Sequence, residues 1–249
     1  MIYSTVQTRG AQIAYIDQGA GENTYIFLRY WGGLSRTWDS VIIKLKGEAR
    51  CIVLDQRGWG SSRSLDNRYD LDAMADDVED VVSHLGLRRY ILVGHSMGGK
   101  VAQIVAARLH PNSSTSPHGL VLVAPAPPSA MPIPREQRAA MLTSYQSQDG
   151  IEQALTVLAG RHLTDAEREG VITDTLGGAQ GAKTEWTERG MIAVIDERLR
   201  EYQGPVTVVV GELDKVEKPE ALRAIYGSGL PQAKFEIVPG VGHLVPIEV

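Results

Sequence analysis

The sequence contains a single cysteine, Cys51, in 249 residues. One cysteine excludes an internal disulfide and a cysteine-based zinc cluster. No run of about 18 apolar residues occurs, so no segment is predicted to span a membrane. The N-terminal stretch lacks the apolar core of a secretory signal, and we therefore expect a cytoplasmic protein.

Basic residues are also in short supply. Lys and Arg number 25 against 30 for Asp and Glu, which gives a net charge of −5. The acidic residues are scattered and no basic stretch stands out, so neither nucleic acid nor an anionic membrane is expected as a partner. A hydrophobic content of 43% and a charged content of 22% are instead typical of a globular protein.

Short apolar runs alternate with helical patterns along most of the chain. The runs predicted as strands lie at 11–18, 25–30, 51–55, 90–93, 120–124, 206–210 and 235–238. Apolar runs of four or five residues are typical of strands buried on both faces of a parallel sheet. Strands that alternate with helices predict βαβ units, with helices on both faces of a sheet of about seven or eight strands.

Two helices of the core are predicted from apolar residues at helical spacing. The first has a buried face from Leu71 to Leu85. Its polar face is predicted to hold most of the acidic residues Asp72, Asp76, Asp77 and Glu79. The second has an apolar face that begins at Val101, and Pro111 is predicted to end it.

The alternation breaks between Pro125 and Gly204, where no strand-like run occurs. The helical pieces predicted there lie at 135–146, 150–160, 164–176 and 187–202. We therefore predict a core formed by residues 1–127 and 204–249. The remaining segment, 128–203, is predicted to be a helical cap inserted over the sheet and not an independent domain.

The strongest motif is Gly94-His95-Ser96-Met97-Gly98, which follows one predicted strand and precedes a helix. This is the G-x-S-x-G pattern in its required context, a tight turn that lifts the serine hydroxyl above the sheet edge. Gly94 and Gly98 leave room for neighbouring backbone. The N–H of Met97, at the helix start, is predicted to face the oxygen of a carbonyl under attack by Ser96.

The same segment also has the strand–GxxxxGK–helix spacing of a phosphate-binding P-loop, through Gly94, Gly99 and Lys100. A P-loop requires Ser or Thr at the next position, because that hydroxyl ligates Mg²⁺. The residue here is Val101. We therefore favour the nucleophile interpretation, which requires no metal and no organic cofactor.

A serine nucleophile needs a base, and the base needs an acid that orients it. In a sheet of this kind the order along the chain is serine, acid, histidine. The histidines that follow Ser96 are His110, His118, His162 and His243. His243 lies on a loop beyond the last strand, from which it can reach over the sheet, and is the predicted base.

The orienting acid is expected at the end of the preceding strand. Asp214 is the predicted acid, and Glu212 is the alternative because it lies closer to the strand end. Asp55 also follows a strand, but it precedes Ser96 in the chain. Its predicted role is to hold the loop 57–61 through local hydrogen bonds.

These pieces together resemble the α/β-hydrolase superfamily, in particular small bacterial-type esterases and cofactor-free perhydrolases. The segments that carry the resemblance are Asp55–Ser61, Gly94–Gly99, Gly211-x-x-Asp214 and Gly242-His243. It implies a mostly parallel eight-stranded sheet flanked by helices, with a small helical cap inserted after the sixth strand. It also implies a second oxyanion N–H from the loop after the third strand.

That loop departs from the family pattern. Members usually carry His-Gly before the residue whose N–H serves the oxyanion, whereas Arg29 and Tyr30 precede Trp31 here. By position, Trp31 is predicted to supply the second N–H. Arg29 and Tyr30 could contact an acidic group of the substrate. For Arg29 the favoured alternative is a structural brace.

The C-terminus is the second departure, because six residues follow His243 where the family usually continues into a helix on the sheet. Either that helix is absent or the sequence has lost a tail. A missing helix would leave apolar sheet surface exposed and favour a homodimer.

The resemblance and the three side chains predict a serine hydrolase of carboxylic esters with an acyl-enzyme on Ser96. Few charged residues flank the start of the cap, so the small-molecule substrate is expected to be a small to medium, mainly uncharged ester. Lactone opening, C–C bond hydrolysis and perhydrolysis stay open, as does a ligand receptor with a vestigial triad. The cap residues predicted to line a pocket over Ser96 are Met141, Tyr145 and Trp186.

Overall fold

The computed structural model describes residues 2–45, 47–108 and 115–249, with residue 198 described by its backbone alone. The strands are β1 (Ser4–Gln7), β2 (Ala11–Gln18), β3 (Asn23–Leu28), β4 (Ala49–Leu54), β5 (Arg63–Ser64), β6 (Ile91–His95), β7 (Gly119–Val123), β8 (Val206–Gly211) and β9 (Lys234–Val238). The helices are α1 (Asp39–Leu45), α2 (Leu71–His84), α3 (Met97–Arg108), α4 (Arg135–Ser144), α5 (Gln148–Leu158), α6 (Asp165–Gly177), α7 (Gln180–Glu188), α8 (Asp196–Leu199), α9 (Pro219–Gly229) and α10 (Val245–Glu248).

Within the described residues, one sheet contains all the strands in the order β1-β2-β4-β3-β6-β7-β8-β9, and β5 pairs with β2. The pairs β1–β2 and β2–β4 are antiparallel, while the pairs from β4 through β9 are parallel. The predicted fold, a mostly parallel sheet flanked by helices, is confirmed. In the described part of the chain the sheet has nine strands, one more than the eight that the resemblance implied. The additional strand β5 has two residues and no apolar run that could have predicted it.

The parallel strands place their carboxyl ends at one edge of the sheet. The loops after β3, β4, β6 and β8 therefore meet there, as expected where parallel strands carry a functional site. The apolar runs anchor this edge in two hydrophobic clusters, one on each face of the sheet. Leu92 of β6 packs into the larger cluster, and Val93 packs into the smaller cluster on the other face. Successive side chains of a strand point to opposite faces, which is why both must be apolar.

One acidic residue of α2 lies inside the protein, contrary to the polar face predicted for it. Asp77 is 3% exposed and accepts hydrogen bonds from both Nε and Nη2 of Arg57, at 2.6 and 2.8 Å. Thr8 Oγ1 donates to the same carboxylate at 2.5 Å. Arg57 is itself 1% exposed, so the pair is buried together and fixes the loop after β4. Apolar periodicity could not reveal a buried carboxylate whose partners lie far away in sequence.

We expect Asp77→Ala to lower the free energy of unfolding by about 3–5 kcal/mol, because Nε and Nη2 of the buried Arg57 lose their carboxylate partner. The more exposed Asp66, 3.2 Å from Nη1, is then the remaining counter-charge. Urea denaturation followed by circular dichroism measures this difference. Asp76→Ala is the matched control on the same helix. Asp76 pairs with Arg9 and Arg108 near the surface, so its loss should cost less than about 1 kcal/mol. Equal losses in the two variants would contradict the prediction.

Five helices of the described chain, α4 to α8, lie between β7 and β8, where the cap was predicted. The helix predicted at 187–202 is interrupted: α7 ends at Glu188, a 3-10 turn covers Gly190–Ile192, and the chain is extended at Ala193 before α8, Asp196–Leu199. The ring of Trp186 fills the space beside Gly190, where a Cβ would lie 2.5 Å from Trp186 Cε3. Glycine is a poor helix former, and the helix stops before it.

Two further observations bear on the sequence predictions. Among the described residues, no helix combines the length and apolarity that a membrane crossing requires. The predicted end of α3 at Pro111 lies outside the described residues, and so does His110.

Candidate active site

Ser96 lies on a sharp turn between β6 and α3. Its φ of 51° is in the left-handed region, which is unusual for a residue with a side chain. The turn is held because the Ser96 N–H donates to Val123 O at 3.0 Å and the Gly98 N–H donates to Arg29 O at 3.1 Å. A Cβ on Gly94 would lie 2.4 Å from Gly98 O, so the two glycines are required by close backbone approach, as predicted.

Lys100, which fits the P-loop spacing, does not face this turn as a free cation. It is fully buried, and its Nζ donates to Ser129 O at 3.1 Å. Burial lowers its pKa to about 8. The side chain therefore ties α3 to the start of the cap, which leaves the turn around Ser96 without the lysine that a phosphate would need.

Ser96, His243 and Asp214 form a continuous chain of hydrogen bonds. His243 Nε2 lies 3.0 Å from Ser96 Oγ, and His243 Nδ1 lies 2.9 Å from Asp214 Oδ2. The serine is partly accessible, whereas His243 and Asp214 are buried. Three segments that are far apart in sequence are thus brought within the 2.6–3.2 Å or so that proton transfer requires.

The Asp214 carboxylate is held on both sides. Its Oδ1 accepts the backbone N–H groups of Val216 and Glu217, at 2.8 and 2.9 Å, and its Oδ2 accepts the proton of His243. Burial alone would raise the pKa of Asp214, but His243 and these hydrogen bonds outweigh it and lower the pKa below its ordinary value. The acid therefore stays ionised and fixes the imidazole with its proton on Nδ1.

The His243 ring sits among several titratable groups. Burial acts to lower its pKa, but the carboxylates of Asp214, Glu217 and Glu248 raise it more, and the net pKa lies above the ordinary value of 6.5. His95 approaches from β6, where its Nε2 donates to His243 O at 2.8 Å. Burial lowers the pKa of His95 to about 3, so this second ring is neutral and acts as a fixed donor.

The alternative residues for base and acid lie elsewhere. His162 is exposed in the cap, and His118 is exposed at the amino end of β7, the opposite edge of the sheet from Ser96. Glu212 Oε2 accepts the Gly240 N–H at 2.9 Å, so that carboxylate braces a surface loop. Asp55 accepts N–H groups from Ser35 at 2.9 Å and from residue 61 at 3.4 Å, so it joins two loops at the sheet edge.

The two backbone N–H groups that were predicted to bind an oxyanion belong to Met97 and Trp31. Met97 is the first residue of α3, and first-turn N–H groups have no acceptor within their own helix. Among the described backbone hydrogen bonds, the N–H of Trp31 has no acceptor. The Trp31 ring stacks on Tyr145 of the cap, with centroids 3.8 Å apart and planes inclined by 11°. The loop that carries the second donor is therefore in direct contact with the cap.

Arg29 and Tyr30 both point into protein. Arg29 is 0% exposed, its Nη1 donates to Tyr30 O at 2.8 Å, and its guanidinium lies 4.4 Å from the centroid of the Trp59 ring. Burial lowers its pKa to about 9. Tyr30 packs with the cap residues Ile151 and Leu155. These positions agree with bracing of the loop, and among the described hydrogen bonds neither side chain bonds to Ser96.

The three cap residues predicted to line a pocket differ in surroundings. Tyr145 covers Trp31, as described above, while Trp186 is buried against Gly190. Met141 is partly buried and packs against the hydrophobic cluster that contains Tyr145 and Trp186. Tyr145 is the one of the three with a contact to the predicted oxyanion loop.

Comparison with known proteins supplies the family. A family model described as the alpha/beta hydrolase family matches residues 26–248, nearly the whole chain. The chain belongs to the alpha/beta hydrolase family. The non-heme chloroperoxidase CPO-A1 of Kitasatospora aureofaciens is 26% identical over 261 residues, which cover 94% of this chain and 89% of that protein.

Esterases are among the similar proteins. The bifunctional esterase/perhydrolase DCH of Acinetobacter calcoaceticus is 36% identical over 121 residues, which cover 48% of this hydrolase and 43% of that protein. The esterase EaEST from Exiguobacterium antarcticum has a TM-score of 0.87 at 17% identity, with 97% of this chain and 92% of that chain covered. At such identity the second likeness shows the fold alone. Family membership itself supports a hydrolase.

Proposed function

We propose that this hydrolase cleaves carboxylic esters through an acyl-enzyme on Ser96. The observation that carries the proposal is the hydrogen-bonded chain from Ser96 Oγ through His243 to Asp214, at 3.0 and 2.9 Å. A serine hydroxyl is a weak nucleophile on its own and needs an adjacent base within this range. The esterase named among the similar proteins supports the same class of substrate.

In the proposed mechanism, His243 Nε2 takes the Ser96 proton as the oxygen attacks the acyl carbon. Asp214 stabilises the imidazolium that forms and holds its orientation. The imidazolium then gives the proton to the departing alcohol. Water then attacks the acyl-enzyme and gives a proton to His243. The carboxylic acid leaves, and the imidazolium returns that proton to Ser96.

The negative charge of each tetrahedral intermediate falls on the former carbonyl oxygen. The N–H groups of Met97 and Trp31 are proposed to bind it. Donors fixed in the fold need no reorganisation as charge develops, and the loss of one such donor in other hydrolases costs about 10²–10³ in kcat. Because Tyr145 stacks on Trp31, the cap is proposed to hold this second donor in place.

The substrate is proposed to be a small to medium, mainly uncharged ester. The cap residues predicted to line a pocket over Ser96, which are Met141, Tyr145 and Trp186, are apolar or aromatic. Turnover of p-nitrophenyl esters of increasing acyl length tests this directly. Preference for long-chain emulsified lipids over soluble short esters would contradict the proposed size.

Perhydrolysis is a second candidate, favoured by the bifunctional esterase/perhydrolase that matches nearly half of the chain. In that reaction hydrogen peroxide replaces water, attacks the acyl-enzyme and leaves as the peracid, while Ser96 recovers its proton. Peracid formation from acetate ester and peroxide, measured beside ester hydrolysis, separates the two activities.

The proposed base makes the activity depend on pH in a defined direction. His243 must be neutral to accept a proton, and its pKa lies above 6.5. We therefore expect kcat/KM on a neutral ester to fall about tenfold per pH unit once the pH drops below that pKa. The pKa of Asp214 lies below its ordinary 3.8, so it stays ionised across this range. A kcat/KM that stays constant as the solution is acidified through the pKa of a histidine would contradict the assignment.

A further inference from the structure

The loop that carries His243 is bound to the cap through its backbone. The His243 N–H donates to Leu158 O at 2.7 Å, at the end of α5. The segment after α5 and the His243 loop are so close that a Cβ on Gly160 would lie 2.3 Å from Gly242 N. The base is therefore placed by the cap as well as by the sheet.

A buried carboxylate joins these two segments. Glu248 is 7% exposed, and its Oε2 accepts the N–H groups of Gly160 at 2.8 Å and Arg161 at 3.1 Å. The Gly242 N–H lies 3.2 Å from both oxygens of the same carboxylate. One side chain thus satisfies donors from the cap and from the residue directly before His243.

Arg161 fixes the position of Glu248 from the opposite direction. Its Nε donates to Glu248 O and its Nη2 to Ile247 O, both at 3.0 Å. Its guanidinium also pairs with Glu167 at the start of α6, and this pairing lowers the pKa of Glu167 to about 2. Glu167 therefore shares Arg161 with Glu248 and has no contact of its own with the His243 loop among the described hydrogen bonds.

We propose that Glu248 is a positioning residue for His243, acting through the backbone of Gly242 and the cap chain at Gly160. The role rests on the proposed function, in which His243 is the base. Removal of a buried carboxylate that accepts three backbone N–H groups leaves those donors without an acceptor, and the two segments that it joins lose their shared partner. Displacement of a catalytic group by about 1 Å can cost about 10²-fold in rate.

Steady-state kinetics on a p-nitrophenyl ester test this role. Glu248→Ala is expected to lower kcat by about 10²-fold, with KM changed less than about threefold, because the base moves while the substrate pocket stays. Glu248→Gln keeps one acceptor oxygen and should lie between that variant and the wild type. Glu167→Gln is the matched control: it removes the same charge from the other side of Arg161, and its kcat should stay within about threefold of the wild type.

A spectroscopic readout separates positioning from a general loss of stability and needs no substrate. The Nδ1 proton that His243 shares with Asp214 should give a downfield NMR resonance, assigned by its loss in His243→Gln. We expect this resonance in the wild type and in Glu167→Gln, and we expect it shifted or lost in Glu248→Ala. Circular dichroism shows whether each variant is folded, and Glu248→Gln takes over the test if Glu248→Ala is not.

The outcomes distinguish this role from the proposed function. If the wild type turns over no ester but shows the resonance, the proposed function fails and the resonance in the Glu248 variants decides the positioning role. Folded Glu248 variants with wild-type kcat and an unshifted resonance would overturn it. Equal losses in Glu167→Gln and Glu248→Gln, or absence of the resonance from the wild type, would overturn it as well.

Discussion

Replacement of Ser96 by alanine is expected to lower kcat for ester hydrolysis by about 10⁶-fold. The substitution removes the Oγ that lies 3.0 Å from His243 Nε2, and with it the atom proposed to form the acyl-enzyme. Alanine has the same Cβ as serine, so it tolerates the φ of 51° equally well and the fold should be retained. Hydrolysis of p-nitrophenyl esters measures the loss.

Labelling by a fluorophosphonate probe provides the control for this prediction. The wild type should form a covalent adduct on Ser96, and the alanine variant should form none. Residual ester hydrolysis at the wild-type rate in Ser96→Ala would contradict the acyl-enzyme. If both proteins are inactive on a broad ester panel while a ligand still binds, the receptor hypothesis would replace the enzyme.

Asp214→Asn is expected to lower kcat at neutral pH by about 10⁴-fold, a loss of about 5.5 kcal/mol of transition-state stabilisation. The amide keeps the shape of the carboxylate, and one oxygen can still accept the N–H groups of Val216 and Glu217. Its NH₂ group then faces His243 Nδ1 as a donor, which favours the tautomer with the proton on Nε2. That imidazole cannot accept the proton of Ser96.

Glu212→Gln is the matched control for Asp214→Asn. Glu212 was the alternative acid and follows the same strand, but its carboxylate bonds the backbone of Gly240. Its replacement should change kcat less than about twofold. A large loss in Glu212→Gln together with a small one in Asp214→Asn would reverse the assignment of the acid.

The sheet could be predicted because its strands have the apolar signal of buried parallel strands. The prediction at 11–18 coincides with β2, Ala11–Gln18, and the runs from 51 to 238 each fall on a strand. The strands that were missed, β1 and β5, lie at the antiparallel side of the sheet, where the apolar requirement is weaker. Burial on two faces leaves a continuous apolar run, whereas burial on one face leaves an alternation that strands of four and two residues are too short to display.

The site could be predicted as far as its chemistry depends on residue type and chain order. Ser96, Asp214 and His243 were each placed at the end of a strand, and the structure brings the three within hydrogen-bonding distance. Their catalytic roles stay a prediction until the variants are measured. Arg29 and Tyr30 needed coordinates, because a motif does not state which way a substituted side chain points.

The residues that support the site could not be predicted from local pattern. Glu248 and Gly160 meet across 88 positions of the chain, and Asp77 meets Thr8 across 69. Neither carboxylate belongs to a motif, and each would ordinarily be assigned to solvent. Long-range hydrogen bonds of this kind become visible when the fold has brought their partners together.

On the proposed mechanism, the stacking of Trp31 on Tyr145 would let the size of the acyl group influence the reaction rate. On the proposed mechanism, a bulky acyl group that pushes the cap outward also pulls at the amide that should receive the oxyanion. Poorly fitting substrates would then bind well and react slowly. The enzyme would accordingly discriminate among esters through kcat more than through binding affinity, because the stacking of Trp31 on Tyr145 couples the cap to the oxyanion donor.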